Sequence, residues 1–443
     1  MSPVTIGLIS LILLLAMVLM GCHIGTSLMV MSVVGIYLST GSLGVAINIL
    51  GTTAFSAIRD YAFGVIPLFV LMGLLANLSG ASSDLFNAAD AMLRKVKGGL
   101  AIATVFANAI FAAITGVSIA SAAVFTKIAL PPMKRLGYDK KFAVGTIAGS
   151  SVLGMLIPPS LLMIVYGMLA EVSIGKLFVA GVLPGIMMAL IYIIGISVMV
   201  KVKPALIQQP REEGAEDSYE ESSRLKAIIK PWPMVLLIVV TLGGIWGGFF
   251  TPIEAGGVGA FGALILVICK RKFTLKAMWD TLLETGITTG SVLFLLISAQ
   301  MYSRMLAMTG VVSMVGKAVT ELPLPHMAII VIFILVWVAL GCILDSTSIL
   351  LLTIPLMVPI VRSFGMDLVW FGIVGIVAIE TGLLTPPFGM SVYTIKSSMK
   401  ASEGGDEMTL VDIFAGSMPF LLMMFLCIAL MLTFPGIVTL LVP

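Results

Sequence analysis

An aspartate followed by three hydroxyl residues, Asp345-Ser346-Thr347-Ser348, interrupts the otherwise apolar run 326–361. A second long apolar run, 99–131, is interrupted by "TGVSIASAA", which carries Gly116, Ser118 and Ser121. Each run is followed by an apolar stretch that a proline pair breaks: Pro158-Pro159 in "GSSVLGMLIPPS" and Pro386-Pro387 in "ETGLLTPPFG". Proline removes a backbone donor and its ring clashes with the preceding turn, so each pair ends a helix. An unwound segment exposes carbonyls to a cation, while the N-terminus of the helix beyond it favours an anion. A hard cation such as sodium takes oxygen ligands, and carbonyls with hydroxyls supply them without burying several carboxylates. The expected cation ligands are Gly116, Ser118, Ser151 and Gly154, near Gly149 and Ser150, and then Asp345, Thr347, Thr381, Gly382 and Thr385. Small residues also let helices approach closely in a bilayer, which is the competing reading for each glycine and serine. Asp345, ionisable and deep in apolar sequence, is a candidate at a cation or substrate site, or else a cap at the tip of a hairpin. Glu380 is a proton carrier or a group bonded to backbone. Arg304 either attracts a carboxylate or snorkels to the membrane edge.

The elements that hold these residues are membrane helices. Hydrophobic residues make up 59% of the 443, charged residues only 11%, and mean hydropathy is +1.16. Ordinary soluble domains carry about 25% charge. At about 20 apolar residues per crossing, ten or so spans fit and no large soluble domain does. The net charge of +3 gives no footprint for nucleic acid. Cys22, Cys269, Cys342 and Cys427 are scattered and the histidines are His23 and His326, so no zinc or haem spacing exists. "LMGC" at 19–22 is similar to a lipoprotein cleavage box, but residues 1–18 hold no Lys or Arg, so 4–22 reads as a retained first span.

The spans run roughly 4–22, 26–46, 62–80, 142–168, 177–200, 231–250, 253–269, 284–303, 368–396 and 410–440. The runs 99–131 and 326–361 are too long for one span and read as re-entrant hairpins. With the N-terminus outside, only Arg59, Lys176, Arg304, Lys317 and Arg362 of the 25 basic residues fall outside, as the positive-inside rule asks. Residues 208–226 form a polar cytoplasmic linker between two halves. "GGFFTPIEAGGVGA", 247–260, reads as a short loop with a capped helix start at Thr251, Pro252 and Glu254, whose glycines serve rigid packing. Sliding the chain by 228 residues puts Ser118 on Ser346, Pro131 on Pro359, Gly137 on Gly365, Asp139 on Asp367, Gly154 on Gly382 and one proline pair on the other. Each half then holds five spans and a hairpin, and an odd number of spans makes the repeat inverted, an architecture of secondary transporters. The fold class expected is an all-α polytopic membrane protein, an inverted repeat with two Pro-broken helices.

"GSSVLGMLIPPSLLMIVYG", "GFFTPIEAGGVGA", "LGCILDSTSILLLTIPLMVPI" and "ETGLLTPPFGMSVYTI" closely resemble the signature segments of the large membrane subunit of TRAP (tripartite ATP-independent periplasmic) transporters, the DctM-type permease. The resemblance covers nearly the whole chain. It implies an elevator-type, sodium-driven carrier of organic acids such as C4-dicarboxylates or sialic acid, in the bacterial inner membrane, with both termini periplasmic on the charge reading above. It also implies two partners: a small four-helix DctQ-type membrane subunit, unfused here, and a periplasmic DctP-type binding protein. By that resemblance 99–168 and 326–398 form the moving transport domain. The scaffold is 1–98, 169–207 and 231–325, with a linker at 208–230 and a C-terminal span at 399–443. Sodium would bind where each tip meets its break, and the carboxylate substrate between the tips, near Ser118, Ser121, Ser160, Asp345 and Ser346. A free-standing carboxylate carrier and a channel are the rival transport readings. An intramembrane enzyme lacks a recognisable motif, so no catalytic residue is expected.

Overall fold

The computed structural model describes residues 2–59, 61–207, 221–400 and 408–442. Among them every regular element is helical. The chain opens with α1 (Pro3–Leu19), α2 (Ile24–Thr40), α3 (Leu43–Arg59), α4 (Val65–Leu78) and α5 (Ala81–Leu93). A hairpin of α6 (Gly99–Thr115) and α7 (Ser118–Arg135) follows, then a broken helix of α8 (Lys140–Ser151), the single turn α9 (Leu153–Leu156) and α10 (Leu161–Ala170). After α11 (Ile174–Val202) come α12 (Glu221–Ile229), α13 (Trp232–Trp246), α14 (Pro252–Cys269), α15 (Leu275–Thr309) and α16 (Val311–Thr320). A second hairpin, α17 (His326–Gly341) and α18 (Ser346–Ser363), leads to a second broken helix, α19 (Leu368–Gly382) and α20 (Met390–Lys400). The long α21 (Leu410–Thr433) and the turn α22 (Gly436–Thr439) close the described chain.

Seven helical stretches are long and apolar enough to cross a bilayer: Tyr61–Leu78, Ile174–Val202, Leu225–Trp246, Pro252–Cys269, Leu275–Thr309, Ser346–Ser363 and Leu410–Thr433. Lys140–Leu156 with Leu161–Ala170, bent by 41°, makes an eighth. The expected spans in α1, α2 and α19 are apolar helices of 15 to 17 residues, about 23–26 Å at 1.5 Å per residue. The face that α11 turns outward is apolar at four-residue spacing: Ile186, Leu190, Ile194, Val198 and Val202 are exposed, while Met188, Tyr192, Ile196 and Val200 are buried. Such a helix suits lipid on one side and protein on the other.

Local chemistry explains the boundaries. Asp139 and Asp367 cap α8 and α19, bonding Phe142 N and Val369 N at 2.8 and 2.6 Å. Thr251 and Glu254 form the capping box expected at the start of α14. The span drawn at 26–46 instead ends at Thr40, because Gly41 takes left-handed backbone and returns its N–H to Tyr37 O. Of the stretch read as a linker, 221–229 is helical and packs on α5, and 208–220 lies outside the described residues. The bounds of α7 and α18 differ by 228 at both ends, and α8 and α19 begin 228 apart.

Glycines set the closest helix crossings. On α14, a Cβ at Gly256 would meet Leu68 Cβ at 2.9 Å and one at Gly259 would meet Met72 Sδ at 2.4 Å, so α14 lies flat on α4. On α8, a Cβ at Gly145 would be 2.0 Å from Gly416 O of α21. Such approaches replace the missing hydrophobic drive between helices in lipid with close packing.

Candidate functional site

The first hairpin tip is two residues, Gly116 and Val117. Gly116 ends α6 in left-handed backbone, and its carbonyl accepts Leu161 N–H, 3.2 Å away, from the first break. A Cβ on Gly116 would lie 2.7 Å from Pro159 O, and one on Gly154 3.1 Å from the Ser118 backbone. Tip and break of the first half therefore touch, as the sequence led us to expect. Ser160 caps α10: its hydroxyl donates to Met155 O at 2.5 Å and accepts Met163 N–H. Gly116 and Ser160 also line a small crevice whose other wall is Ile66, Phe69 and Val70 of α4.

At the second tip, Asp345 is the N-cap of α18. One carboxylate oxygen accepts Ser348 N–H at 3.0 Å, and the other accepts the Ser348 hydroxyl. The capping role is thus formed. Ser346, the first residue of α18, donates its hydroxyl to Glu380 Oε1 at 2.7 Å. Glu380 is fully buried and bonds this side chain rather than backbone. Ser118, the first residue of α7, faces the same carboxyl, yet Ser118 Oγ and Glu380 Oε2 both lack a hydrogen-bond partner. One buried carboxyl of α19 therefore lies against the first residues of both returning helices. Thr347, next to Ser346 in sequence, is half-buried.

The other expected ligands behave differently. The hydroxyls of Ser151 and Thr381 donate to Ala148 O and Val377 O of their own helices, and that of Thr385, just past α19, donates back to Thr381 O, all at 2.7 to 2.8 Å. A hydroxyl that donates this way keeps its lone pairs for a cation. Gly382 meets Gly341 of α17 so closely that a Cβ would sit 2.5 Å from Gly341 Cα, which is the packing reason for a glycine there. Ser121 is buried with its Oγ unpartnered. Arg304 is exposed on α15.

Sequence reasoning missed Asn108. It is buried in α6, donates to Ser150 Oγ at 2.9 Å and leaves its own Oδ1 unpartnered. An amide inside "FANAI" was the available signal. Tyr166 was also missed: its hydroxyl donates to Leu368 O at 2.6 Å, tying the first broken helix to the start of α19. Both Pro158-Pro159 and Pro386-Pro387 peptide bonds are cis. Among the described residues no three His, Cys, Asp or Glu side chains cluster to hold a metal, so any cation here relies on carbonyls, hydroxyls and single carboxylates.

The arrangement has counterparts. The C4-dicarboxylate TRAP transporter large permease protein DctM of Pseudomonas aeruginosa is 35% identical over 350 residues, 79% of this chain and 80% of that protein. The sialic acid TRAP transporter permease protein SiaT of Haemophilus influenzae is 28% identical over 434 residues, 97% of this chain and 67% of that protein. In fold, the chain is similar to the crystal structure of the Alcanivorax borkumensis YdaH transporter, with a TM-score of 0.63 at 15% identity over 90% of each chain. Residues 11–437, spanning both hairpins and both breaks, match the DctM component of tripartite ATP-independent periplasmic transporters, and the chain belongs to that family.

Proposed function

We propose that this permease is the translocating subunit of a sodium-coupled importer of a small organic acid, of the class of C4-dicarboxylates or sialic acid named for its relatives. A periplasmic DctP-type binding protein delivers the acid and a small four-helix DctQ-type subunit completes the membrane part. The observation that carries this reading is the convergence of Ser118 and Ser346, the first residues of α7 and α18, on one buried spot. Two helix N-termini there offer unpaired N–H groups and partial positive charge to a carboxylate substrate. Ser121 and Asp345 flank these two serines in the chain, and Ser160 of the first break lies against Gly116 of the first tip.

The residues present suit sodium. Buried oxygens without donors, Ser118 Oγ and Ser121 Oγ, stand at the first tip. Gly116, Ser118, Ser151 and Gly154 would hold one ion, and Asp345, Thr347, Thr381, Gly382 and Thr385 another. Bound sodium would supply the positive charge that balances Asp345 and the substrate. Asp345 holds its tip in shape through Ser348, and the helix-bonded hydroxyls turn lone pairs away from their own backbone.

The matching helix bounds at an offset of 228 support an inverted repeat. Segments 99–168 and 326–398 meet where Tyr166 bonds Leu368 O and where Ser118 faces Glu380, which supports one moving body of the elevator type. Trp370 Nε1 donates to Met431 O of α21 at 3.0 Å, and α21 lies on α8 at Gly145, so α21 goes with that body. The sequence reading put α11 in the scaffold; because it packs on α6, α9 and α19, we assign it to the moving body instead. The frame is then α1 to α5 and α12 to α16.

The chain lies in the bacterial inner membrane with its termini outside. Groups assigned to the cytoplasmic side meet one another, Asp84 with Lys230 and Lys270 and Lys141 with Asp412, which supports putting them on one side. A cysteine at Ala205 should resist an impermeant reagent added outside spheroplasts and one at Glu321 should react; the reverse pattern refutes the topology.

The test of function is uptake into proteoliposomes holding the chain with both partners, against a panel of carboxylates, with and without an inward sodium gradient. Uptake should require both the gradient and the binding protein. Strong sodium-driven uptake by the chain alone would favour the free-standing carrier, and counterflow without trans-stimulation would favour a channel.

A further inference from the structure

We propose that the corner between α14 and α15 binds an anionic phospholipid, whose phosphate meets Arg271, Lys272 and Lys276 and whose acyl chains lie along an uncovered apolar stripe of α15. The site lies outside the transport reading. Only the naming of its leaflet as the cytoplasmic one rests on the orientation proposed above.

The cations are concentrated and uncompensated. Lys270, Arg271, Lys272 and Lys276 fall within seven residues. Lys270 is committed: it shares the buried carboxylate of Asp84 with Lys230, which pins the corner to α5. One carboxylate between two ammonium groups still leaves a positive charge over. Arg271, Lys272 and Lys276 are exposed and have no side-chain partner among the described residues. The first turn of α15 holds no acidic residue, and Asp280, a turn beyond Lys276, is not paired with it. Arg271 follows the C-cap of α14 in left-handed backbone (φ 56°), a conformation that Gly41 and Gly310 adopt after α2 and α15. It strains a residue with a Cβ, so the turn itself gains nothing from arginine there. A guanidinium matches the oxygens of a phosphate two at a time.

The same corner is also apolar. Phe273, Leu275 and Trp279 are exposed, the last two at 82% and 67%. Leu275, Trp279, Leu283 and Ile287 recur every fourth residue, all exposed, and form one stripe leading away from the cations. Lys276, Asp280 and Glu284 follow a separate line beside it. The α2 helix lies on a later part of α15, where a Cβ at Gly25 would touch Phe294 and one at Gly35 would touch Met305. With 35 residues, α15 is about 52 Å long, well over the roughly 30 Å of a hydrocarbon core, so its first turns reach the headgroup region. Tryptophan suits that depth. A soluble anion would satisfy the cations and leave the stripe bare, and a lipid without net charge would do the reverse. An anionic phospholipid satisfies both.

Trp279 is the probe. The purified full chain in detergent is titrated with phosphatidylglycerol brominated on its acyl chains, and the loss of emission is compared with that of Trp279→Phe, which separates Trp279 from the other four tryptophans. Brominated phosphatidylglycerol should quench the Trp279 share at a concentration about fivefold or more below that of brominated phosphatidylcholine. Arg271→Gln, Lys272→Gln and Lys276→Gln together should remove that advantage. The same loss of charge at Lys97, Lys201 and Lys203, exposed elsewhere on the chain, should keep it. Equal quenching by the two lipids overturns the proposal, and so does an advantage that survives in the first triple variant. Inorganic phosphate that displaces the brominated lipid at equal concentration overturns it too, since the site would then recognise phosphate without chains. Melting in phosphatidylcholine checks that the triple variant folds, and the comparison of the two lipids on the wild type stands even if it does not. Neither substrate nor sodium enters these readouts, so failure here leaves the proposed transport function standing, and failure of transport leaves this result intact.

Discussion

Asp345 performs one role in plain view, closing the first turn of α18 on Ser348, and that bond makes a clean test of the second role possible. Asparagine caps helices about as well as aspartate, so Asp345→Asn keeps the cap and removes the charge. We expect normal folding but a sodium half-saturation raised about three- to tenfold, equivalent to roughly 0.7–1.4 kcal/mol at the site. Uptake against sodium concentration, with both partners present, measures it. An unchanged half-saturation would reduce Asp345 to its cap. Val117 holds the equivalent place in the first hairpin, so no charge assists there and the two proposed cation sites should differ in affinity. At this scale the sequence revealed which side chains were out of place in apolar surroundings: Asp345, Ser346, Ser118 and Glu380. It did not reveal their partners. The bonds from Ser346 to Glu380 and from Asn108 to Ser150 cross 34 and 42 residues, and residue type alone says that a buried polar group needs a partner without saying where that partner lies.

Helix ends were readable where a local signal existed. The Asp caps of α8 and α19, the capping box of α14 and both proline breaks fall where propensity puts them. The α5 and α16 helices were missed because they are amphipathic and short, with polar faces that read as loop when only long apolar runs are sought. Glycine usage was legible as close packing, but which helix would approach was not. The α8–α21 crossing makes that concrete. Gly145→Ala would force a Cβ to within 2.0 Å of Gly416 O, a backbone atom that cannot move without displacing α21. The expected cost is roughly 1–3 kcal/mol, as for other overpacked interiors. Gly286→Ala is the matched control: it lies within α15 with open space around it. Alanine should there be neutral or stabilising by up to about 1 kcal/mol. Melting of the purified variants separates the two, and equal melting temperatures would mean that the α8–α21 contact yields easily.

For the molecule as a whole, the division proposed above into a frame and a moving body rests on how the two halves interleave, which hydrophobic patterning cannot encode: a buried stripe shows that a helix is covered, not by what. The frame draws on both halves, since Asp84 of α5 is clamped by Lys230 ahead of α13 and Lys270 after α14. The other body also draws on both, through Tyr166 on Leu368 O and Ser118 against Glu380. Between them lies the crevice where Val70 of α4 faces Leu161 of the first break. If the two bodies slide past one another, a covalent link across this crevice must stop transport, whereas a link inside the moving body must not. On a background lacking Cys22, Cys269, Cys342 and Cys427, the pair Val70→Cys and Leu161→Cys joins frame to body. The pair Lys141→Cys and Asp412→Cys replaces a partly exposed 2.9 Å ion pair between α8 and α21, both assigned to the body. A short bifunctional thiol reagent should abolish uptake in the first pair, with recovery on cleavage of the linker, and should leave it largely intact in the second. Full uptake by the cross-linked first pair would show that α4 and the first break do not separate during the cycle. Loss of uptake in the cross-linked second pair would place α21 with the frame instead, because only a link between parts that move apart can arrest them.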